Sequence, residues 1–410
     1  MFKPVEPRTA PPPKCHHILR GKQCPYIKIC KYDHVIEQPI INENTITYYL
    51  DDRVKERNSF TVLRRTLEEN NLVCIKINRR ELLKSKYNLH WGVHFPKIKL
   101  HPDTLINHFP NSHELTHKYL MCDHLSNFNF LPESYVLPRD SHEFSQTINQ
   151  HKLWIVKPVA NGEGKNIRIL THEQVLTDTN IHQRAGRCES KTKRNIVSLY
   201  IDNPLLVNNK KVDVRLYVLL KSGHQIYLYN DGIVRSASEI YDNDLNSLEN
   251  SYKHITNNTI NNKKMADIIN GGHDECFGSF NNKSFKNLMN ELNHDPVFDL
   301  KHLVLQSINH TIYSEKYKDH VYDSGETFDQ VKSKCFEVLG FDVLFDSNLK
   351  PYLLEVNSMP DLNGMGRNGS VVLGVNFSIK ANMLANAMNI VFCQNGKEKE
   401  HLGDFIQVQD

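Results

Sequence analysis

The stretch that decides the fold reads FEVLGFDVLFDSNLKPYLLEVN and runs from Phe336 to Asn357. Two apolar runs, Phe341 to Phe345 and Tyr352 to Val356, flank the polar turn Asp346-Ser347-Asn348. Apolar runs of this length on either side of turn-forming residues are typical of a β-hairpin. We therefore predict two antiparallel strands in this stretch.

Three polar residues interrupt the apolar hairpin. Because strand side chains alternate, Glu355 and Asn357 point to one face, and cross-strand pairing can bring Asp342 to the same place. Charged groups in apolar surroundings are costly unless they are paired or bound to a cation. Carboxylate and amide oxygens suit Mg²⁺, a hard ion. We predict that Asp342, Glu355 and Asn357 hold Mg²⁺; the alternative is that these residues end strands or cap loops.

A lysine followed by glycines lies farther upstream. An apolar strand is predicted from Leu153 to Val156, Lys157 follows it directly, and Gly162 and Gly164 come next. Many nucleotide-binding folds use a lysine at a strand end and a glycine-rich turn to present a cation and backbone N–H groups to phosphates. On its own this pattern is weak, because plain hairpin glycines are the commoner explanation.

Four potential metal ligands cluster near the N-terminus with the spacing C-x8-C-x5-C-x3-H: Cys15, Cys24, Cys30 and His34. Three thiolates and one imidazole complete a closed tetrahedral zinc shell, and in so short a segment the metal would supply the folding energy. The spacing resembles the CCCH zinc-finger family, whose members commonly bind single-stranded RNA by stacking bases on aromatic side chains. The alternatives are a chance spacing, or a finger that only braces the N-terminus.

The composition is that of an ordinary globular protein. Its 410 residues include 50 Lys and Arg against 47 Asp and Glu, a net charge of +3, and 39% are hydrophobic. This balance excludes a disordered polyelectrolyte, and the length predicts two or three domains. The nine cysteines are odd in number and sparse, which excludes a disulfide scaffold. No apolar run of about 18 residues and no signal-peptide core occurs, so we expect a cytoplasmic protein without a membrane partner.

Periodicity predicts further elements. A second hairpin is expected from Val214 to Leu220 and from Gln225 to Tyr229, across the turn Ser222-Gly223-His224. Helical spacing of apolar residues predicts a helix from Phe328 to Leu339 and an amphipathic helix from Phe377 to Val391 that docks on the body. The Asn-rich segment from Asn243 to Asn262 is predicted to be largely loop.

Several longer motifs, taken in order, resemble the tubulin tyrosine ligase family. Together with the Glu355 hairpin they are INHFP (106–110), ELT (114–116), LPESYVLP (131–138), VDVRLYVL (212–219), IYLYNDGIVRSASE (226–239) and HITN (254–257). The resemblance covers about residues 90 to 390 and leaves the finger outside. It implies an α+β protein with an ATP-grasp fold, in which antiparallel sheets carry helices, preceded by a small zinc-stabilised finger.

The resemblance also sets expected domain boundaries. They are a finger and linker in 1–40, a basic N-terminal ligase domain in 41–138, a central ATP-grasp subdomain in 139–200, a C-terminal ATP-grasp subdomain in 201–395 and a tail in 396–410.

The family chemistry is ATP-dependent ligation of an amino acid, tyrosine or glutamate, to a protein carboxylate through an acylphosphate. The resemblance places Mg²⁺ on Asp342, Glu355 and Asn357, with Glu355 also acting in catalysis. Arg215 and Arg235 would bind the carboxylate of the amino acid or the acylphosphate, because guanidinium gives bidentate geometry. Residues expected to bind ATP are Lys157, Gly164, Lys211, Asp213, Thr256 and Asn257.

Alternatives remain for individual residues. For Lys211, the alternative is an ordinary solvated lysine. For Arg215, the alternative is a structural ion pair with Asp213. For Arg235 a functional role is favoured, because no acidic residue follows it before Glu239.

The sequence departs from the family pattern at two places. In the glycine-rich turn, Glu163 stands where the family has a basic residue, and Asn166 stands where it has a second glycine. Asn tolerates positive φ better than most residues, so the turn is expected to survive, whereas Glu163 would repel phosphate unless Lys165 compensates. Ser198 and Leu199 replace the usual Gln-Lys of the adenine-facing segment.

The predicted partners are a free amino acid and tubulin, whose acidic C-terminal tail would suit the basic clusters of the N-terminal half. A tubulin substrate would bring the protein to microtubules. The run from Arg235 to Glu239 looks closer to tyrosine ligase itself than to most glutamylating relatives, which favours tyrosine. The alternative function is a catalytically weakened scaffold that binds RNA or a protein through the finger.

Overall fold

The computed structural model describes residues 1–5, 45–51, 60–75, 85–159, 166–178, 181, 194–257, 260–261, 283–362, 375–393 and 396–409. The predicted zinc ligands Cys15, Cys24, Cys30 and His34 and the predicted phosphate-loop residue Gly164 lie outside these residues.

The described chain contains short and long strands interleaved with mostly short helices. In chain order the strands are β1 (Thr47–Leu50), β2 (Val73–Cys74), β3 (Leu89–Trp91), β4 (Leu105–Ile106), β5 (Ser134–Leu137), β6 (Leu153–Pro158), β7 (Arg168–Thr171), β8 (Asn195–Leu199), β9 (Leu206–Val207), β10 (Lys210–Lys221), β11 (Gln225–Ser236), β12 (Phe336–Phe345), β13 (Pro351–Asn357) and β14 (Phe405–Gln407). The helices are α1 (Thr61–Glu69), α2 (His113–Thr116), α3 (Lys118–Leu125), α4 (Ser141–Thr147), α5 (His172–Thr177), α6 (Ser251–His254), α7 (Phe285–Glu291), α8 (Val297–Asn309), α9 (Phe328–Lys332) and α10 (Val375–Phe392).

One compact unit combines residues 1–106 and 361–401. Its sheet has the order β2-β1-β3-β4, and every pairing is parallel, which the sequence analysis did not anticipate. Helix α10 packs on α1. Buried side chains cover most of the circumference of α10, from Phe377 to Val391, so the predicted amphipathic character is wrong and α10 is a core helix. No helix in the described part of the chain is both long and apolar enough to cross a bilayer.

The other unit combines residues 107–360 and 402–410 and is built on two antiparallel sheets. The larger has the order β13-β12-β10-β11-β14, and β9 pairs with β10. Both predicted hairpins are confirmed, and both are longer than predicted. The β10–β11 turn places Gly223 at φ 78° and His224 at φ 63°, a left-handed conformation that suits a tight hairpin.

The smaller sheet has the order β5-β8-β6-β7. The predicted strand at Leu153 is β6, which ends at Pro158 and so carries Lys157. Its apolar side packs in a buried cluster with Trp154, Phe144 and Val197 at the centre. The prediction of antiparallel sheets with helices is thus confirmed for this unit.

The predicted helix from Phe328 to Leu339 is only partly correct. Helix α9 begins with a capping box between Thr327 and Gln330 but ends at Lys332, and Leu339 lies in β12. Strand β12 pairs along its length with β10 and is buried throughout. Cross-strand pairing in the sheet therefore outweighs the helical spacing, which a local pattern cannot reveal.

Candidate functional site

Of the two compact units, the one formed by residues 107–360 and 402–410 is the larger. It contains a cleft that is lined by residues from both of its antiparallel sheets. Strands β6 and β8 contribute one side, strands β10 to β13 the other, and the segment after α6 borders it. Eight of the predicted site residues line it: Lys157, Lys211, Asp213, Arg235, Thr256, Asn257, Asp342 and Glu355. The fold therefore brings together residues that lie up to about 200 positions apart in the chain.

Asp342 and Glu355 lie directly opposite each other in the β12–β13 ladder. The register shifts just beyond them, because Val343 pairs with Leu353 and leaves Leu354 as an extra residue. Both Leu354 and Glu355 line the cleft as a result. A β-bulge re-aims side chains in this way, and here it turns the Glu355 carboxylate toward Asp342. The Asn357 amide lies near Glu355, with Nδ2 3.4 Å from Oε1.

Two arginines hold the Asp342 carboxylate. Arg215 Nε donates to Oδ1, and Arg215 Nη2 donates to Oδ2 at 3.0 Å. Arg235 Nη2 also lies 3.0 Å from Oδ2. Burial alone would raise the pKa of Asp342, but the two guanidinium groups outweigh it and hold the pKa at about 2. Asp342 is therefore ionised at neutral pH, which is the form that binds a metal.

Arg235 makes a second, bidentate ion pair with Asp213. Both of its contacts, Nε to Oδ1 and Nη2 to Oδ2, measure 2.6 Å, and Thr256 Oγ1 donates to Asp213 Oδ2 at 2.7 Å. The suggested pairing of Arg215 with Asp213 is wrong, because Asp213 stands opposite Arg235 in the β10–β11 register. Arg235 has no acidic residue close after it in the sequence, but it has an acidic partner in the structure, because Asp213 comes from the neighbouring strand.

Two lysines add positive charge to the cleft: the half-buried Lys157 from β6 and the buried Lys211 from β10. Burial lowers the pKa of Lys157, and it lowers the pKa of Lys211 to about 7. Lys211 Nζ donates to Tyr200 Oη at 3.1 Å, and Tyr200 Oη lies 3.0 Å from His254 Nδ1. The alternative of a solvated Lys211 is wrong, because only 6% of this residue is exposed.

Sequence reasoning missed Lys118 as a site residue. Its ammonium lies 3.3 Å from Glu355 Oε2, and it lines the cleft. The signal was its position two residues after the motif that ends at Thr116, on the first turn of α3. His254 was likewise quoted only as part of a motif, although its side chain is buried against Tyr200.

The family departures have local consequences. Asn166 takes φ 59°, as expected of a residue that replaces glycine in this turn. Ser198 Oγ lies 2.8 Å from Ser134 Oγ on the paired strand, and Leu199 lines the cleft. The lysine that the family carries there is thus replaced by apolar surface.

The INHFP motif contacts a buried carboxylate. Glu337, on β12, is fully buried and accepts hydrogen bonds from the Phe109 N–H at 3.0 Å and from Ser112 Oγ. It also lies 2.9 Å from His108 Nδ1. The motif therefore anchors the loop that leads into α2 and α3, which carries Lys118 toward the cleft.

The donors fit a hard divalent cation. Two carboxylates face each other, an amide lies beside one of them, and Mg²⁺ prefers oxygen ligands completed by substrate phosphates. Within the described ranges, no group of three or more His, Cys, Asp or Glu side chains is arranged to hold a metal. The Asp342–Glu355 pair is thus a site that would share its metal with a ligand.

Comparison with known proteins identifies the family. The family described as "Tubulin-tyrosine ligase family" matches residues 97–398. The human protein named "Tubulin polyglutamylase TTLL5" is 33% identical over 337 residues, which are 76% of this chain and 24% of that protein. The mouse "Tubulin monoglutamylase TTLL4" is 30% identical over 346 residues, 78% of this chain and 27% of that protein. The chain thus spans about a quarter of the length of these two relatives. A Tetrahymena thermophila protein named "Probable alpha-tubulin polyglutamylase Ttll1" is 28% identical over 355 residues, 74% of this chain and 78% of that protein. From the matched length, together with the two-sheet cleft, the chain belongs to the tubulin-tyrosine ligase family.

Proposed function

We propose that the chain is an ATP-dependent ligase that joins glutamate to a carboxylate of an acidic tubulin tail. The observation that carries the proposal is the convergence in one cleft of the Asp342–Glu355 pair, Arg235 and the lysines Lys157 and Lys211. Arg215 does not line the cleft but pairs with Asp342, which does. This set combines ligands for a divalent cation with cations for phosphates and for a carboxylate.

The proposed reaction first transfers the γ-phosphoryl group of ATP to the acceptor carboxylate. The amino group of glutamate then attacks the acylphosphate, and phosphate leaves. The residues act by positioning and charge neutralisation, not as nucleophiles. Lys157 and Lys211 would hold phosphates, whereas Arg215 and Arg235 would bind the amino-acid carboxylate or the acylphosphate.

Magnesium would be held by Asp342 and Glu355, with Asn357 beside them. When bound, it would neutralise the negative charge of the terminal phosphates. The remaining predicted ATP contacts, Asp213, Thr256 and Asn257, border the same cleft. Gly164 would contribute a backbone N–H to the phosphates.

Glutamate is proposed over tyrosine on the names of the relatives, which are tubulin polyglutamylases and monoglutamylases. Tyrosine, which the run from Arg235 to Glu239 favours, is the second candidate. Tubulin as acceptor draws on the same names and on basic side chains of the smaller unit: Lys86, Lys97 and Lys99 are exposed. Such a surface attracts an acidic tail.

The test is incorporation of labelled glutamate, and separately labelled tyrosine, into tubulin with ATP and Mg²⁺. We expect the wild-type chain to incorporate glutamate and Glu355→Gln to lose it by at least about a hundredfold, in the range of losing a charge-stabilising group. Glu143→Gln, an exposed glutamate on α4, is the matched control and should keep full incorporation.

The other outcomes are equally informative. Incorporation of tyrosine alone would replace glutamate in the proposal. No incorporation, together with no heat on titration with ATP and Mg²⁺, would overturn the ligase. RNA crosslinking without incorporation would instead favour the scaffold with an N-terminal finger.

A further inference from the structure

We propose that Asp342 couples the two ligands: a metal ion that binds this carboxylate releases Arg215 to the amino-acid substrate, so metal–nucleotide and amino acid strengthen each other's binding. The inference goes beyond the proposed function and rests on it, because it assumes that Arg215 binds a carboxylate ligand.

The Asp342 carboxylate is nearly saturated by arginine. A carboxylate offers about four lone-pair positions. Arg215 Nε occupies one on Oδ1, and the Nη2 atoms of Arg215 and Arg235, each 3.0 Å away, occupy both on Oδ2. A divalent cation at the remaining position would stand beside two guanidinium groups in a buried site. Like charges so close repel strongly at low dielectric constant, so metal binding favours a state in which an arginine leaves.

Arg215 is the arginine that the metal would release. Arg235 keeps its bidentate pair with Asp213 when its single contact to Asp342 is lost. Arg215 instead directs both of its bonds to Asp342, and no other carboxylate in the described residues is paired with it. A freed, half-buried guanidinium needs an anion, and the carboxylate of an amino acid supplies a bidentate partner.

The backbone beneath Arg215 leaves room for its side chain. A Cβ on Gly340 would lie 3.0 Å from Arg215 Cδ and 3.2 Å from Arg215 Nε. Glycine at this strand position therefore allows the guanidinium to lie flat against β12, within reach of Asp342 two residues along.

Thermodynamic linkage makes the coupling reciprocal. The metal and the amino acid each break the Arg215–Asp342 pair, so whichever binds second no longer has to break it. Couplings of this kind typically change affinity by roughly 5- to 150-fold. We expect L-glutamate to bind the full chain at least about tenfold more tightly when Mg²⁺ and a non-hydrolysable ATP analogue are present.

The decisive experiment measures L-glutamate affinity by ligand-observed NMR, with and without Mg²⁺ and the analogue. Asp342→Asn should raise the affinity for glutamate in the absence of nucleotide, because a neutral amide no longer holds Arg215. Glu355→Gln is the matched control: it removes the facing carboxylate but leaves the Arg215–Asp342 pair, so glutamate affinity without nucleotide should not rise.

The outcomes separate this inference from the proposed function. If wild-type chain binds glutamate equally well with and without Mg²⁺ and the analogue, the coupling is wrong while the ligase proposal stands. If Asp342→Asn folds and binds glutamate no better than wild type, the coupling is also wrong. If neither glutamate nor tyrosine binds in any state, both proposals fail. The wild-type titration decides the matter even if Asp342→Asn does not fold.

Discussion

At the residue scale, burial sets the charge that each side chain can carry in the cleft. Lys211 is buried against the rings of Tyr200 and Tyr241, with its ammonium 4.2 Å from the Tyr200 ring centroid. Desolvation lowers its pKa to about 7, although Asp213 favours the charged form. The residue therefore gains or loses its charge within the physiological range, unlike an exposed lysine.

Nucleotide binding should consequently weaken as pH rises. Phosphates favour charged Lys211, and the charged form is abundant below pH 7 and scarce above it, so ATP affinity should fall by up to roughly tenfold between pH 6 and pH 8. Isothermal titration with a non-hydrolysable analogue measures this. Lys211→Met is the control for titration of the phosphates themselves, and its affinity should follow pH less steeply. Equal slopes for both proteins would contradict the prediction.

The same lysine affects folding in the opposite direction. Between pH 7 and its ordinary pKa, the unfolded chain binds a proton that the folded chain lacks. Stability contributed by this site therefore rises with pH across that window. Through Lys211, raising the pH should therefore weaken ATP binding and increase the stability of the fold.

Gly340 is a position where one added methyl group would disturb the site. A Cβ there would lie 3.0 Å from both Arg215 Cδ and Pro360 Cβ. Gly340→Ala should therefore displace Arg215, destabilise the fold by about 1 to 3 kcal/mol and sharply reduce incorporation of amino acid into tubulin. Urea unfolding and the incorporation assay measure the two effects. Unchanged stability and unchanged activity together would show that the site tolerates the methyl group.

At the element scale, one strand organises the site. Strand β12 carries Asp342 into the cleft and, five residues earlier, Glu337 into a buried network with the loop before α2. Strand β12 therefore contributes both to the cleft and to the anchoring of the loop before α2. Residues 336–339 lie in this strand and not in the predicted helix, because their backbone pairs with β10.

Removing the Glu337 carboxylate should be strongly destabilising. Glu337→Ala leaves the buried Phe109 N–H without this acceptor, at a cost of about 1 to 3 kcal/mol, and it also removes the contacts of Glu337 with His108 and with Ser112, whose hydroxyl keeps the Phe109 carbonyl as an acceptor. We expect a total loss of roughly 3 kcal/mol or more in urea unfolding. Glu143→Ala, an exposed glutamate, should change stability by no more than about 0.5 kcal/mol. Similar values for the two variants would refute the anchoring role.

At the scale of the whole molecule, the chain contains two compact units and a predicted finger. The cleft lies within the larger unit, which contains every predicted site residue of the ligase that the structure describes. The domain boundaries drawn along the sequence stay predictions, as does the finger. A metal assay on the full chain addresses the finger independently of the ligase.

We expect the purified full chain to contain stoichiometric zinc by elemental analysis, because three cysteines and a histidine match a structural site. Replacing Cys24 and Cys30 with serine should remove the zinc without changing glutamate incorporation, since both residues lie outside the stretch 97–398 that matches the ligase family. Glu355→Gln should retain zinc. A zinc-free wild-type chain would refute the finger.

The sequence by itself determined the local elements, which are both hairpins and the strand that carries Lys157. The resemblance to the family indicated the antiparallel sheets and eight of the residues that line the cleft, but not Lys118 or His254. Short apolar runs bounded by turn-forming residues encode such elements, because a strand that is buried on both faces carries apolar side chains at most positions. Only the tertiary structure decided which charges pair. Arg235 meets Asp213 across 22 residues and Arg215 meets Asp342 across 127, because register, a β-bulge and the loop held by Glu337 set those contacts. Electrostatic partners depend on distances in space, and those distances exist only once the sheets have formed.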